Sequence, residues 1–422
     1  MTEVKIDKLV VGGQGLGYYN DKPIFVWNAL PGEVVEVEVT KHRKGVYEGI
    51  ATNIISAHQQ RIKSIEKHYL SCSPWQIMDY ELENSLKVDL VKQSMKPLID
   101  ANFLSEPDYY FLDKRFGYRN KMEYSWLVEE GKSYLAFSRR DQHNLISCQG
   151  CQLSDPILLE SALKIEKWLQ IGVQTRRFLK SLIVRSNGKD RVLAGLFVKD
   201  RSSFLNPKIE SSLLRGWKIF YSNFRSPASV IDDVLYSQGQ DQITSIIDNR
   251  KFSFGLMSFM QVNLPMFELA LAEIKKWIDD EEVLDLFSGV GAIGISVANQ
   301  ASNVKLVEIN EEAGYFAKIN IEQNNLLNKV SSDCCPAEKA LSLINNNQVV
   351  VVDPPRAGLS DKLIDVLLSE TPKRIIYLSC NPATQARDLS KLMLKYRARN
   401  WSVYNFFPAT PHIESLIVLD KI

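Results

Sequence analysis

Between residues 251 and 422, short apolar runs alternate with stretches whose apolar residues recur at helical spacing, and this alternation constrains the fold more than any other feature. Runs at 283–287, 304–309, 349–352 and 375–378 read as strands, with a helix over 311–324, and runs at 401–407 and 413–419 close the set. Strands regularly interleaved with helices imply an α/β fold, a doubly wound parallel sheet with helices on both faces. Ligands bind such sheets outside the carboxyl ends of the strands. The residues with chemical potential in this chain fall at those ends.

A chain of 422 residues is too long for one ordinary core, so two or three domains are expected. Residues 1–56 alternate β-rich runs (10–13, 15–19, 23–27 and 34–39) with Gly, Asn and Asp turns, which predicts a five-stranded barrel of the OB type, a common oligonucleotide binder. Residues 57–250 read only as a central α/β domain, and 251–422 as the third. The formal net charge of +1 hides a basic segment: from Val173 to Trp217, ten Lys/Arg, Arg176 and Arg177 among them, face three acids. With Lys41-His42-Arg43-Lys44, and with the aromatic–basic run Phe116-Gly117-Tyr118-Arg119-Asn120-Lys121, this segment suits contact with nucleic-acid phosphates and bases. Apolar runs are short and interrupted by charge, so neither a signal peptide nor a membrane span is expected. The six scattered cysteines fit a reducing compartment, and a cytoplasmic location is expected.

After the first strand comes Ser288-Gly289-Val290-Gly291-Ala292-Ile293-Gly294, a G-x-G-x-x-G loop, and Glu308 ends the second strand where an adenosine ribose needs a carboxylate. The loop alone fits a dinucleotide or S-adenosylmethionine. Asp285 beside it disfavours a pyrophosphate and tolerates a sulfonium amino acid. Asp353-Pro354-Pro355-Arg356 carries a carboxylate into the same region on a rigid segment. In Leu378-Ser379-Cys380-Asn381-Pro382, Asn381 can cap a helix that Pro382 opens, placing Cys380 at its positive end, where a thiol pKa should fall.

Four segments in this order resemble the RNA uracil-C5 methyltransferases: 284–291, 353–359, 379–384 and Phe407-Pro408-Ala409-Thr410-Pro411-His412-Ile413-Glu414. The barrel is similar to a TRAM domain, and Tyr118-Arg119-Asn120-Lys121 and Gln261-Val262-Asn263 also match. The resemblance implies a Rossmann-like seven-stranded methyltransferase sheet, with Cys380 as nucleophile and Glu414 as base. It implies S-adenosyl-L-methionine as cofactor, contacted by Gln261, Phe287, Glu308 and Asp353, and a flipped-out or single-stranded uridine as target. Large-subunit (23S) ribosomal RNA is the preferred substrate, because bacterial tRNA enzymes of the family usually lack the barrel. A tRNA uridine-54 is the alternative, and a non-catalytic RNA-binding assembly factor is a third reading. No membrane and no obligate protein partner are implied. Arg356 and Arg387 are candidates for contacting phosphate or the developing enolate, or for structural ion pairs.

Some positions depart from the family. Many relatives bind an iron–sulfur cluster through four cysteines, but here Lys63 and Tyr69 stand at two of those positions, while Cys72 and Cys151 match the others. No metal is therefore expected, although His68, Cys72, Cys148 and Cys151 could form a different four-ligand set. Asn405 replaces a common acidic residue and Pro411 a common His.

Overall fold

The computed structural model describes residues 2–140, 144–170, 178–201, 207–226 and 228–422. Arg176 and Arg177 of the basic segment lie outside them. The chain divides into two compact units built from interleaved segments: residues 1–86, 114–243 and 407–411 form the first, and 87–113, 244–406 and 412–422 the second.

In the first unit, the N-terminal strands close into a barrel in the order Thr2–Leu9, Gly15–Tyr19, Lys22–Trp27, Val46–Ser56, Val34–Arg43. Alternate residues point inward, as a period of two requires: Val4 and Ile6, Ile24 and Val26, Val35 and Val37 form its core. The expected run at 10–13 is instead a turn, with Gly12 and Gly13 at positive φ, and the first strand lies ahead of it. A seven-stranded sheet follows, ordered Asp233–Gly239, Leu214–Tyr221, Val192–Val198, Leu179–Ser186, Lys121–Glu129, Lys132–Ser138, Leu145–Ser147. Every residue of Val192–Val198 is buried, so both faces of this central strand are covered. The helix Pro156–Leu169 starts from an Asp155 cap and contributes Leu158, Ala162, Ile165 and Leu169, one helical stripe, to the core beneath the sheet.

The second unit contains an eight-stranded sheet, ordered Val330–Cys334, Asn303–Glu308, Glu282–Leu286, Val349–Val352, Arg374–Ser379, Glu414–Lys421, Tyr396–Tyr404, Asp108–Tyr110. Seven of these come from the C-terminal run; the eighth, Asp108–Tyr110, joins from far upstream and pairs parallel to Tyr396–Tyr404. The first five run parallel, whereas Glu414–Lys421 is antiparallel to both neighbours, so the sheet is mixed rather than wholly parallel. Chain order reverses between Glu282–Leu286 and Val349–Val352, and the carboxyl ends of these two strands form the switch point where such folds take ligands. Buried Leu286, Val352, Tyr377, Leu389 and Ile417 belong to the core that fixes these ends in place. Lys87 is fully buried in the long helix Tyr80–Asp100, and its Nζ donates to Asn405 Oδ1 at 2.5 Å, a role that explains a polar residue at 405. Among the described residues, no helix is long and apolar enough to cross a membrane.

Candidate active site

The first strand of the switch point is followed by Phe287, whose φ of 64° holds a bulky aromatic in the left-handed region. Such a conformation costs about 1–2 kcal/mol in a non-glycine residue and tends to persist at ligand sites. Gly289 and Gly291, also at positive φ, continue the turn into the helix Ala292–Val297. All three glycine N–H groups of the loop already have acceptors. Gly289 donates to Glu308 Oε2 at 2.8 Å, Gly291 to the Ser288 carbonyl at 2.9 Å, and Gly294 to Asp285 Oδ2 at 2.8 Å. A pyrophosphate would need those donors, so the loop is built against a dinucleotide despite its spacing. Gly294 is required by close packing, since a Cβ there would lie 2.3 Å from Leu306 Cδ2.

A cleft beside the loop is lined by Phe259, Gln261, Phe287, Ser288, Gly289 and Asp353. Gln261 Nε2 donates to Asp353 Oδ2 at 3.3 Å, and Glu308 Oε1 accepts the Asn310 N–H at 2.7 Å, so both carboxylates are oriented. Among the described residues, Ser288 Oγ and Asp285 Oδ1 are buried without a hydrogen-bond partner, an arrangement that a polar ligand with donor groups would complete. Burial pushes the Asp353 carboxyl up to about 7, against the pull of the Gln261 amide. It pushes Asp285 up to about 8, outweighing the Gly294 N–H, with Asp353 and Glu308 adding to the rise. These acids resist ionisation until positive charge arrives.

Cys380 follows the strand Arg374–Ser379 and precedes the helix Pro382–Leu392, whose Asn381 cap accepts the Ala383 N–H at 3.3 Å. Ser379 pairs with Ser415 in the antiparallel ladder, so one step further the register sets Cys380 opposite Glu414. Asp353, one residue past Val352, comes level with Leu378 on the other side. Two carboxyls and a thiol from separate parts of the chain thus meet at the ends of three neighbouring strands. The thiol is not activated as its helix position predicts: burial, then the charges of Glu414 and Asp353, push it up to about 11, against the pull of Arg356. Glu414 is itself raised well above the carboxylate range by burial and by Asp353, and its Oε2 has no hydrogen-bond partner among the described residues.

Residues 230–422 match the model of the tRNA (uracil-5-)-methyltransferases, and residues 2–52 match that of the TRAM domain. These matches, which for the first model cover the C-terminal part of the chain, support the S-adenosylmethionine-dependent RNA uracil-5 methyltransferase family. It is 28% identical to an uncharacterized RNA methyltransferase of Enterococcus faecalis over 100% of this chain and 97% of that one. With one of Caldanaerobacter subterraneus it shares 28% identity over 100% and 99% of the two chains. The crystal structure of Pyrococcus abyssi tRNA (uracil-54, C5)-methyltransferase in complex with S-adenosyl-L-homocysteine has the same fold, with a TM-score of 0.80 at 22% identity, over 99% of this chain and 100% of that one.

Around the methyltransferase site, two positioning groups escape sequence reading. Asp388 is fully buried; its Oδ2 accepts the Tyr377 hydroxyl and the Leu359 N–H, both at 2.8 Å, and its Oδ1 takes the Arg387 guanidinium. Arg387 is thereby a structural ion pair that also donates to the carbonyls of Ala357 and Leu359. His412 Nδ1 lies 3.0 Å from an Arg356 nitrogen, holding the guanidinium that faces the site. The Arg356 carbonyl in turn accepts from Asn381 Nδ2 at 2.9 Å and Thr384 Oγ1 at 3.2 Å. Residues 356 and 381 are too far apart in sequence for any local pattern to reveal these bonds.

The expected RNA surface of the methyltransferase needs correction. Tyr118 is buried and donates from its hydroxyl to the Pro408 carbonyl at 3.0 Å, so it braces the 407–411 segment and offers no stacking face; Asn120 is buried too. Arg185 is fully buried, Arg201 is paired with Asp233, and Lys180 donates to Ser222 Oγ, so the basic segment is not one continuous phosphate track. The barrel hairpin keeps its character: residues 41–44 are exposed and His42 stacks on Tyr47 at 4.1 Å.

Proposed function

We propose that this protein methylates C5 of a uridine in structured RNA through a transient bond between Cys380 and C6 of the base. The observation that supports this most directly is the ladder register that sets Cys380 opposite Glu414, with Asp353 beside them. S-adenosylmethionine is the cofactor, and it supplies an electrophilic methyl group on a sulfonium centre. Gln261, Phe287, Glu308 and Asp353 are the residues that would hold it: Gln261, Phe287 and Asp353 line the cleft, with Ser288 Oγ as a further acceptor, and Glu308 is tied to the glycine loop by the Gly289 N–H.

Uracil C5 is a poor nucleophile. Addition of the Cys380 thiolate at C6 pushes the C5–C6 electron pair toward C5 and O4, leaving an enolate that is nucleophilic at C5. Arg356 is placed to stabilise the thiolate and the enolate charge, since it is already the cation that pulls on Cys380. Once C5 is substituted, Glu414 takes the proton from C5, the C6–S bond breaks, and the double bond returns. Glu414 can act as a base only when ionised, so positive charge entering the cleft readies it.

Large-subunit ribosomal RNA is proposed as the substrate, on the family resemblance of a barrel-bearing chain. A tRNA uridine is the second reading, favoured by the full-length match to an enzyme that acts on tRNA uracil-54. Both are tested by incubating the protein with S-adenosylmethionine and either RNA transcribed with 5-fluorouridine. Fluorine cannot leave as a proton, so a complex should persist on a denaturing gel with the true substrate and vanish in Cys380→Ala. Glu414→Gln should accumulate the same complex on ordinary uridine RNA, with turnover down by about 10²–10⁴-fold. No complex with either RNA would leave binding without catalysis as the better reading.

A further inference from the structure

In the first unit, His68 precedes a single helical turn, Tyr69–Cys72, so His68 and Cys72 lie four residues apart on one face. Cys148 and Cys151 flank Gln149-Gly150 in the loop after the strand Leu145–Ser147. The fold brings the two segments together: His68 Nε2 is 3.8 Å from Cys148 Sγ and 3.5 Å from Glu66 Oε1. One ligand atom from each of Glu66, His68, Cys72 and Cys151 lies within 4.8 Å of the others. His68, Cys148 and Cys151 are buried, and all three thiols are free of disulfides. Nearby, Tyr124 packs on the Phe137 ring that also flanks His68. Core packing alone accounts for buried cysteines. It does not account for an imidazole and a carboxylate converging on three of them.

We propose that His68 Nε2 and the Sγ atoms of Cys72, Cys148 and Cys151 bind one zinc ion. Tetrahedral zinc with bonds of about 2.3 Å to sulfur and 2.0–2.1 Å to nitrogen sets its ligand atoms about 3.6–3.8 Å apart. The His68–Cys148 distance already meets that spacing. Glu66 stays outside the ligand set, because its Oε1 accepts the Gln152 N–H and its Oε2 the Gln76 amide, both at 2.7 Å. It serves as the neighbouring carboxylate that holds the two segments together. The iron–sulfur cluster of many relatives does not fit these residues. Such clusters are held by four thiolates, two of whose positions here are Lys63 and Tyr69. The donor atoms of His68, Cys72 and Cys151, all within 4.8 Å of one another, also leave room for one ion and not for four irons with bridging sulfides. The site thus fastens the 66–72 segment to the 148–152 loop by different chemistry. Binding releases thiol protons as the ligands become thiolates, so zinc affinity should rise with pH.

The full chain, purified anaerobically without chelator, should carry one zinc per chain and little iron by elemental mass spectrometry. Replacing the zinc with cobalt(II) should give thiolate-to-metal charge-transfer bands and the visible bands of a tetrahedral ion. Cys148→Ala should lower zinc affinity by at least about 100-fold, beyond the 10–100-fold typical of an outer partner, while Glu66→Gln should stay within that range. Cys334→Ser, at an exposed thiol outside the group, should change nothing. Far-ultraviolet circular dichroism of each variant separates a lost ligand from a lost fold. Zinc-free protein that neither binds added zinc nor gains thermal stability from it would overturn the proposal. Stoichiometric iron with cluster absorption would also overturn it, and retention of full affinity in Cys148→Ala would refute the ligand set.

Discussion

At Cys380 two local effects compete, and burial with the neighbouring carboxyls wins over the helix start. The free site therefore opposes ionisation of the thiol, and charge entering with the cofactor shifts the balance. The same physics gives a pH signature at Asp353. Its folded pKa, about 7, lies above the ordinary carboxylate value, so the folded state holds a proton that the unfolded chain releases. The stability this proton contributes is fully present below about pH 4 and is lost as pH rises through 7. Asp353→Asn, which cannot ionise, should match the parent protein in urea unfolding near pH 4 and become progressively more stable than it toward pH 8. A stability difference that stays constant across this range would show that Asp353 is already ionised in the folded protein. Binding of a cationic cofactor should release protons in the same window and tighten as pH rises.

The helix Pro382–Leu392 shows how an element delivers a reactive residue. Asn381 caps it through Oδ1 and ties it through Nδ2 to the Arg356 carbonyl, while Asp388 fastens it to Tyr377 and Leu359. Asn381→Ala removes both functions of that side chain. It should cost about 1 kcal/mol of stability, within the usual range for a lost cap. Turnover should fall more than this small destabilisation explains, because Cys380 and Arg356 lose a shared anchor; urea unfolding and initial rates on one preparation check this. Some elements were legible and others not, for definable reasons. The Val-rich run at 349–352 is apolar enough to be read at sight. Val330–Cys334 carries Ser331, Ser332 and Asp333 at a sheet edge, and Asp108–Tyr110 is only three residues long. Neither contains enough periodicity to be read.

At the scale of the molecule, interleaved chain segments build two units, and the near-neutral charge conceals local basic surface. The barrel hairpin offers Arg43 and Lys44 to solvent, whereas Lys41 is paired with Glu48 at 3.1 Å. Arg43→Gln with Lys44→Asn should weaken RNA binding, leave cofactor affinity unchanged, and reduce the slope of log K against log salt by about 1.4–1.8, the value for two phosphate contacts. Filter binding across a salt series measures it; an unchanged slope would remove the hairpin from the RNA surface. By itself the sequence determined the strand–helix alternation, the barrel, the glycine loop, and the carboxylate and thiol at strand ends, because each depends on short-range periodicity or on a motif within one turn. Only the tertiary structure decided that Tyr118 and Arg185 are buried, that the glycine N–H groups are already satisfied, that Cys380 stands opposite Glu414 with a raised pKa, and that His68 meets Cys148. Those outcomes depend on which distant residues share a desolvated space, and burial and charge act through space without regard to separation along the chain.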